Sequence, residues 1–160
     1  MSDRTQLLLF NLGERRYAVN LFSVERVVFI VDITPLPKAP EIVLGVVNVG
    51  GEIVPVYDLR KRFRVANRQI KLSDQLILAK TSKQRVALTA DTVSGVLDLP
   101  AERITTAQKI VTDVQYVEGV VKLEDGLVLI HDLDEFLSPR EEIALDQALE
   151  EVTEPMLRNV

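Results

Sequence analysis

Apolar residues fall in short, strand-length runs along most of this chain, and the runs are written twice. Residues 7–28, LLLFNLGERRYAVNLFSVERVV, lie without a gap on residues 76–97, LILAKTSKQRVALTADTVSGVL, after a shift of 69 positions. Residues 45–63, GVVNVGGEIVPVYDLRKRF, lie on residues 119–137, GVVKLEDGLVLIHDLDEFL, after a shift of 74. The difference between the shifts is one short insertion within residues 98–118. Each copy reads as an apolar strand, a polar turn, a second strand and a Val-x-x-Val step, Val24/Val27 and Val93/Val96. Runs of this length bounded by turn residues predict β structure.

Within the first copy, residues 7–12 and 16–19 predict a hairpin around Gly13-Glu14-Arg15. Asn20 is placed to cap a short helical turn through Ser23 to Arg26, before Val27 to Val31 extend again. Pro35, Pro37 and Pro40 exclude a long helix and mark a stiff, exposed connection. Gly45 to Val49 and Glu52 to Leu59 predict a second hairpin about Gly50-Gly51. Pro55 cannot donate to a ladder, so an edge or a bulge is expected at that strand. The polar, basic stretch Lys61 to Ser73 is the joint between copies.

The second copy has a longer internal connection, from Asp98 through Thr105-Thr106 to Asp113, and a hairpin turn at Glu124-Asp125-Gly126. The tail changes period. Ser138-Pro139-Arg140-Glu141 is a capping box with proline at the first helical position. Leu145, Ala148, Leu149 and Val152 then make one apolar stripe, and Thr153-Glu154-Pro155 ends the helix. The helix has no counterpart in the first copy and is expected to cover apolar strand surface. The expected organisation is a single domain, residues 1–160, with repeats at about 7–66 and 74–137 and a helix at about 139–152.

Composition narrows the function. A lone repeat would sit near the ~60-residue size at which a core is marginal, so the halves are expected to share a core. Val, Leu and Ile dominate the 47% apolar content, with three Tyr, five Phe and no Trp, which favours strands over an aromatic ligand pocket. The net charge of −5 argues against nucleic acid or an anionic membrane as the main partner. With no cysteine there is no disulfide framework, Cys-based zinc site or thiol nucleophile. The N-terminus lacks a signal-peptide apolar core, and no apolar run approaches the ~20 residues that span a bilayer. A cytoplasmic protein with no direct membrane insertion is the expectation.

Candidate chemistry is sparse. His131 is the only histidine and its duplicate is Tyr57, which favours packing over a triad or metal ligand. Asp58 and Asp132 occupy equivalent places and are expected to cap the turns that follow them. Arg60, Lys61, Arg62, Arg64, Arg68 and Lys71 form the one basic cluster, read as a solvated joint or a complement to an acidic protein. A nucleic-acid-binding protein using this 60–71 segment is the alternative function. No phosphate-loop pattern accompanies Gly50-Gly51. No catalytic, cofactor or metal site is expected. Val24, Val27, Val93 and Val96 read either as core or as the lining of a groove between modules.

The segment GVVNVGGEIVPVYDLRKRF resembles the signature of CheW-type chemotaxis coupling proteins, a Gly-Val-x-Asn-Leu-Arg-Gly turn leading into Ile-Val-Pro-x-x-Asp-Leu-Arg. ERRYAVNLFSVERVV, RVALTADTVSGVLDL, YVEGVVKLEDGLVLIHDLDEFL and EEIALDQALEE extend the likeness over residues 6–152, in the family's own order. The resemblance implies an all-β fold with a C-terminal helix: two SH3-like five-stranded β-barrel subdomains packed around a shared hydrophobic interface. It implies a non-catalytic adaptor between the regulatory domain of a CheA-type histidine kinase and the cytoplasmic tip of a methyl-accepting chemoreceptor, recruited to membrane receptor arrays through those partners. Partner-binding positions carried over are Val24, Gly45, Asn48, Val93 and Val96. Two positions depart: Gly50 stands where the signature carries arginine, and Arg26 where an acidic residue is frequent. Both changes alter partner choice more than fold.

Overall fold

The computed structural model describes residues 3–66, 68–106 and 117–158, with side chains described to residue 151. The first copy supplies β1 (Arg4–Leu12), β2 (Arg15–Asn20), β3 (Val24–Phe29), β4 (Val43–Val49), β5 (Glu52–Tyr57) and the one-turn helix α1 (Leu59–Arg62). The second supplies β6 (Gln75–Lys80), β7 (Arg85–Ala90), β8 (Thr92–Pro100), β9 (Ile104–Thr106), β10 (Val117–Leu123) and β11 (Gly126–His131), followed by α2 (Pro139–Arg158). The far end of the long internal connection, residues 107–116, lies outside the described residues.

The fold is all-β with a C-terminal helix, but the two subdomains are not the two sequence repeats. One sheet runs β8-β1-β2-β11-β10-β9 and the other β3-β6-β7-β5-β4. Each therefore takes its first hairpin from one copy and its remaining strands from the other. The exchange uses the same parallel pairing twice: Ala18 opposite Ile130, and Ala87 opposite Val56. The sheets differ in strand count by β9, whose counterpart in the first copy is a single bridge between Thr34 and Val46.

The interiors repeat as the sequence does. Leu7, Ala18, Val121, Val128 and Ile130 fill one subdomain; their duplicates Leu76, Ala87, Val47, Val54 and Val56 fill the other. Between them lies the largest cluster, built by both copies and by α2 through Leu145 and Ala148. Burying a residue of this class stabilises by about 1.5–3 kcal/mol, so this shared core joins the halves.

Several local expectations need correction. The helical turn after Asn20 is a single 3₁₀ turn, Leu21–Ser23, and Val24 to Arg26 already belong to β3. Asn20 does not cap it; its side-chain amide donates at 3.1 Å to Glu118 of β10, joining the two copies within the six-stranded sheet. The return strand ends at Tyr57, because Asp58 accepts from Arg60 N–H at 3.1 Å and starts α1. Pro55 is not on an edge: β5 lies between β7 and β4. Both backbone polar groups of its partner Val46 turn away to Thr34, at 2.8 and 2.9 Å, so β4 asks no donor of it. On the β7 side the parallel ladder starts only at Val56, whereas the equivalent Leu129 is paired with Tyr17. The proline shortens the ladder by one position. The nearby bulge lies in β4, between Val43 and Gly45.

The capping box forms as expected, with Ser138 N–H on Glu141 at 2.8 Å and Glu141 N–H on Ser138 Oγ at 3.2 Å. The helix it starts continues past the expected end to Arg158. Proline's fixed φ is itself helical, so Pro155 removes one bond without leaving the helical region. The side chain of Val152 lies outside the described residues.

Helix α1 ends in a Schellman motif, Val65 N–H on Arg60 O at 2.9 Å and Arg64 N–H on Lys61 O at 3.4 Å. The residue in the left-handed position is not glycine but Arg64, at φ 56°, a substitution costing roughly 1 kcal/mol.

Candidate functional site

Two surfaces collect the candidate partner residues. The first is one end of the five-stranded subdomain. Val24, half-buried at the start of edge strand β3, pairs with Ala79 and packs on the shared core. Arg26, exposed, pairs with Leu78. At the other edge, Gly50 and Gly51 (φ 58° and 89°) form the β4–β5 turn. Two consecutive positive φ values match the twist of a tight hairpin and favour glycine there. Asn48 is exposed, and its side-chain oxygen accepts from Gly51 N–H at 2.8 Å, closing the turn.

Arg85 joins these edges. It donates to both Glu25 oxygens, at 3.0 and 2.8 Å, and to Glu52 at 2.6 Å, tying the start of β3 to the β4–β5 turn. Three residues before Glu25 in the chain, Phe22 stands 87% exposed. Neither Arg85 nor Phe22 was among the candidates. The signal for Arg85 was present, since the shift of 69 lays Arg16 on it, and Arg16 makes the matching pair with Asp125 at 2.6 Å.

The second surface is edge strand β8. Val93 pairs with Phe10 and, like Val24, rests half-buried on the shared core; its N–H donates to the Gln75 side chain at 2.7 Å. Val96 is 53% exposed and pairs with Leu8. Gln75, Ile77 and Ala79 share one face of β6, so Val24 and Val93 mark positions about 13 Å apart along it.

Gly45 belongs to neither surface. It is buried, and a Cβ there would meet Thr34 O at 2.2 Å; at the duplicate Gly119 it would meet Thr105 O at 2.9 Å. Both glycines let a crossing segment lie against the hairpin.

The remaining candidates resolve into structure. His131, 2% exposed, stacks on Phe63 with ring centres 3.9 Å apart and tilts against Tyr17 and Phe136. Asp132 caps its turn through Asp134 N–H at 3.0 Å, as Asp58 does. The basic cluster is largely consumed inside the fold. Arg60 pairs with Asp91, Arg62 with Glu141 at 2.6 Å, and Arg68 with Asp74 and Asp91 at 2.7 and 2.6 Å. Burial acts to raise the Asp91 carboxyl, but bonds from Arg60 and Gly13 N–H, with the Arg60 and Arg68 charges, hold it below the usual carboxylate range. Three arginines matched in this way leave little for a phosphate backbone, which removes support for the nucleic-acid alternative.

No group of metal-ligating side chains occurs among the described residues, and no described helix is long and apolar enough to cross a membrane. Comparison with known proteins decides the family: the model of the CheW-like domain matches residues 6–141. The chain belongs to the CheW-like domain family. It is 32% identical over 149 residues to the chemotaxis protein CheW of Thermotoga maritima, covering 90% of this chain and 93% of that one. It is 25% identical over 145 residues to the CheW of Treponema pallidum, covering 87% and 85%. The crystal structure of the scaffolding protein TtCheW from Thermoanaerobacter tengcongensis superposes with a TM-score of 0.78 at 30% identity, covering 88% of this chain and 96% of that one. These likenesses place the chain among the chemotaxis adaptor and scaffold proteins, with two SH3-like subdomains.

Proposed function

We propose that the protein is a non-catalytic coupler that holds a chemoreceptor's cytoplasmic tip and the regulatory domain of a CheA-type histidine kinase in one assembly. The single observation that carries this reading is the presence of two candidate surfaces, the line along β6 from Val24 to Val93 and the exposed end with Phe22, Arg26 and the β4–β5 turn, on a body joined by one core. A helical tip can lay its apolar face along the line from Val24 to Val93, with Val96 at its margin. The exposed Phe22, Arg26, Asn48 and Gly50 serve the other contact, while Gly45 acts through packing. Each interface is small and transient, near the ~1,200 Å² lower range, and array avidity makes the pair firm. The protein works in the cytoplasm and reaches membrane arrays through its partners. Gly50 and Arg26 tune which kinase and receptor it accepts.

A chemical-shift titration of labelled protein, run separately with the two partner fragments, tests this. The expected result is two distinct sets of shifts, one centred on Val24 and Val93. A single shared surface makes the protein a competitor, and silence with both correctly paired fragments removes the coupler reading.

A further inference from the structure

At the end of α1 an open groove of about 390 Å³ is lined by Glu41, Ile42, Lys61, Arg64 and Val65, together with the ion-paired Arg60, Arg62 and Glu141. Arg60 is matched by Asp91 and Arg62 by Glu141, which leaves Lys61 and Arg64 facing Glu41. Lys61 donates only to the Glu41 backbone carbonyl, at 3.2 Å. The Arg64 guanidinium is exposed and has no protein partner among the described residues. Its backbone occupies the left-handed position that glycine fills at no cost, so the turn itself does not require a long side chain there. The duplicate position is Ser138, the cap of α2, so the second copy has no cation at that place.

We propose that this groove docks an acidic segment of a protein partner, one carboxylate on Arg64, a neighbouring one on Lys61, and an apolar side chain against Val65. A planar guanidinium takes a carboxylate in two parallel bonds, and the half-buried apolar Val65 suits a peptide side chain. Lys61 and Arg64 suit a short run of carboxylates, whereas a continuous polyanion such as nucleic acid would extend past them over a chain of net charge −5. The groove shares no residue with either surface of the coupler reading. Success or failure here therefore leaves that reading standing.

The probe is a short labelled peptide of alternating glutamate and leucine, followed by fluorescence anisotropy at low salt. Saturable binding is expected with the intact protein, and none with the same peptide carrying glutamine for glutamate. Arg64→Gly is expected to weaken binding about tenfold, the worth of one charge-assisted pair, while raising the melting temperature by about 2–4 °C. Arg64→Gln, which keeps the backbone cost, is expected to weaken binding equally. Absence of binding to the intact protein, or unchanged binding in both variants, overturns the proposal. Competition by duplex DNA as effective as the unlabelled peptide also overturns it, in favour of a general polyanion site.

Discussion

The two copies close with the same device and then diverge at the same backbone position. Asp58 and Asp132 each cap the following turn, and Leu59 and Leu133 each turn into the shared core. Three residues further on, Arg62 in the first copy stands where Phe136 stands in the second. Phe136 is fully buried among Tyr57, Phe63 and His131. Arg62 instead reaches both oxygens of Glu141 on α2, the helix that follows the second copy. One copy closes by apolar burial and the other by an ion pair to its neighbour. A duplicated backbone thus does not enforce duplicated energetics; what each end packs against decides.

The sharpest break in that comparison is to remove both anchors in turn. Phe136→Ala is expected to cost about 3–5 kcal/mol in chemical denaturation, because it opens a cavity in the shared core. Arg62→Ala is expected to cost about 2 kcal/mol, since the Arg62 side chain is 13% exposed and Glu141 keeps its bond from Ser138. Equal costs would mean that both ends are held alike.

Next in size is the joint that only the first copy has. Asp91 accepts from Gly13 N–H at 2.7 Å and pairs with Arg60 and Arg68, so Asp91→Ala releases a hairpin, α1 and the linker together. About 2 kcal/mol is expected, below a fully buried pair because the carboxylate retains 22% exposure. The folded-state values of Asp74 and Asp91 are both depressed; burial by itself would raise each, but an arginine bond, a backbone N–H bond and the nearby arginine charges together outweigh it. The stability they contribute is therefore full above the unfolded value, ~3.9, and is lost as pH falls from about 5 through that value and on through the folded ones. Melting temperatures across that range should fall less steeply in a double Asp74→Asn, Asp91→Asn variant. Parallel acid limbs would assign the acid sensitivity to other carboxylates.

The shared device predicts a smaller and equal effect. Asp58→Ala and Asp132→Ala should each cost about 1 kcal/mol by denaturant midpoint, the usual worth of a cap. A clear inequality would show that the turns differ more than their bonds do. Smallest is the β4–β5 tip. Gly50→Arg places an arginine at φ 58°, for about 1 kcal/mol or a little more, whereas Gly50→Asn should cost less. Comparing kinase and receptor affinity in both variants separates a charge effect from turn strain.

Much of the molecule was legible in one dimension. The repeat, the hairpins, both aspartate caps, the capping box and the packing of His131 follow from alternation, from turn residues, and from side chains that bond their own backbone. Where reading failed, a longer-range contact had won: Asn20 was drawn to Glu118, and Pro55 was tolerated inside a sheet because Val46 bonds to Thr34. Arg85 was missed because its partners, Glu25 and Glu52, lie far from it in the chain and look like ordinary surface charges.

By itself, then, the sequence determined that two alike β modules and one amphipathic helix exist, because period, capping and turn chemistry act within a few residues. It could not say which hairpin joins which set of strands. Leu7 and Leu76, or Ala18 and Ala87, fit either interior almost equally, so local pattern leaves the two assemblies degenerate. Only the tertiary structure decided, through the parallel joins of β2 to β11 and β7 to β5, which no local turn specifies. Burial of the shared core between the exchanged halves completes that choice, and it sets Val24 and Val93 half-buried on the edge strands β3 and β8.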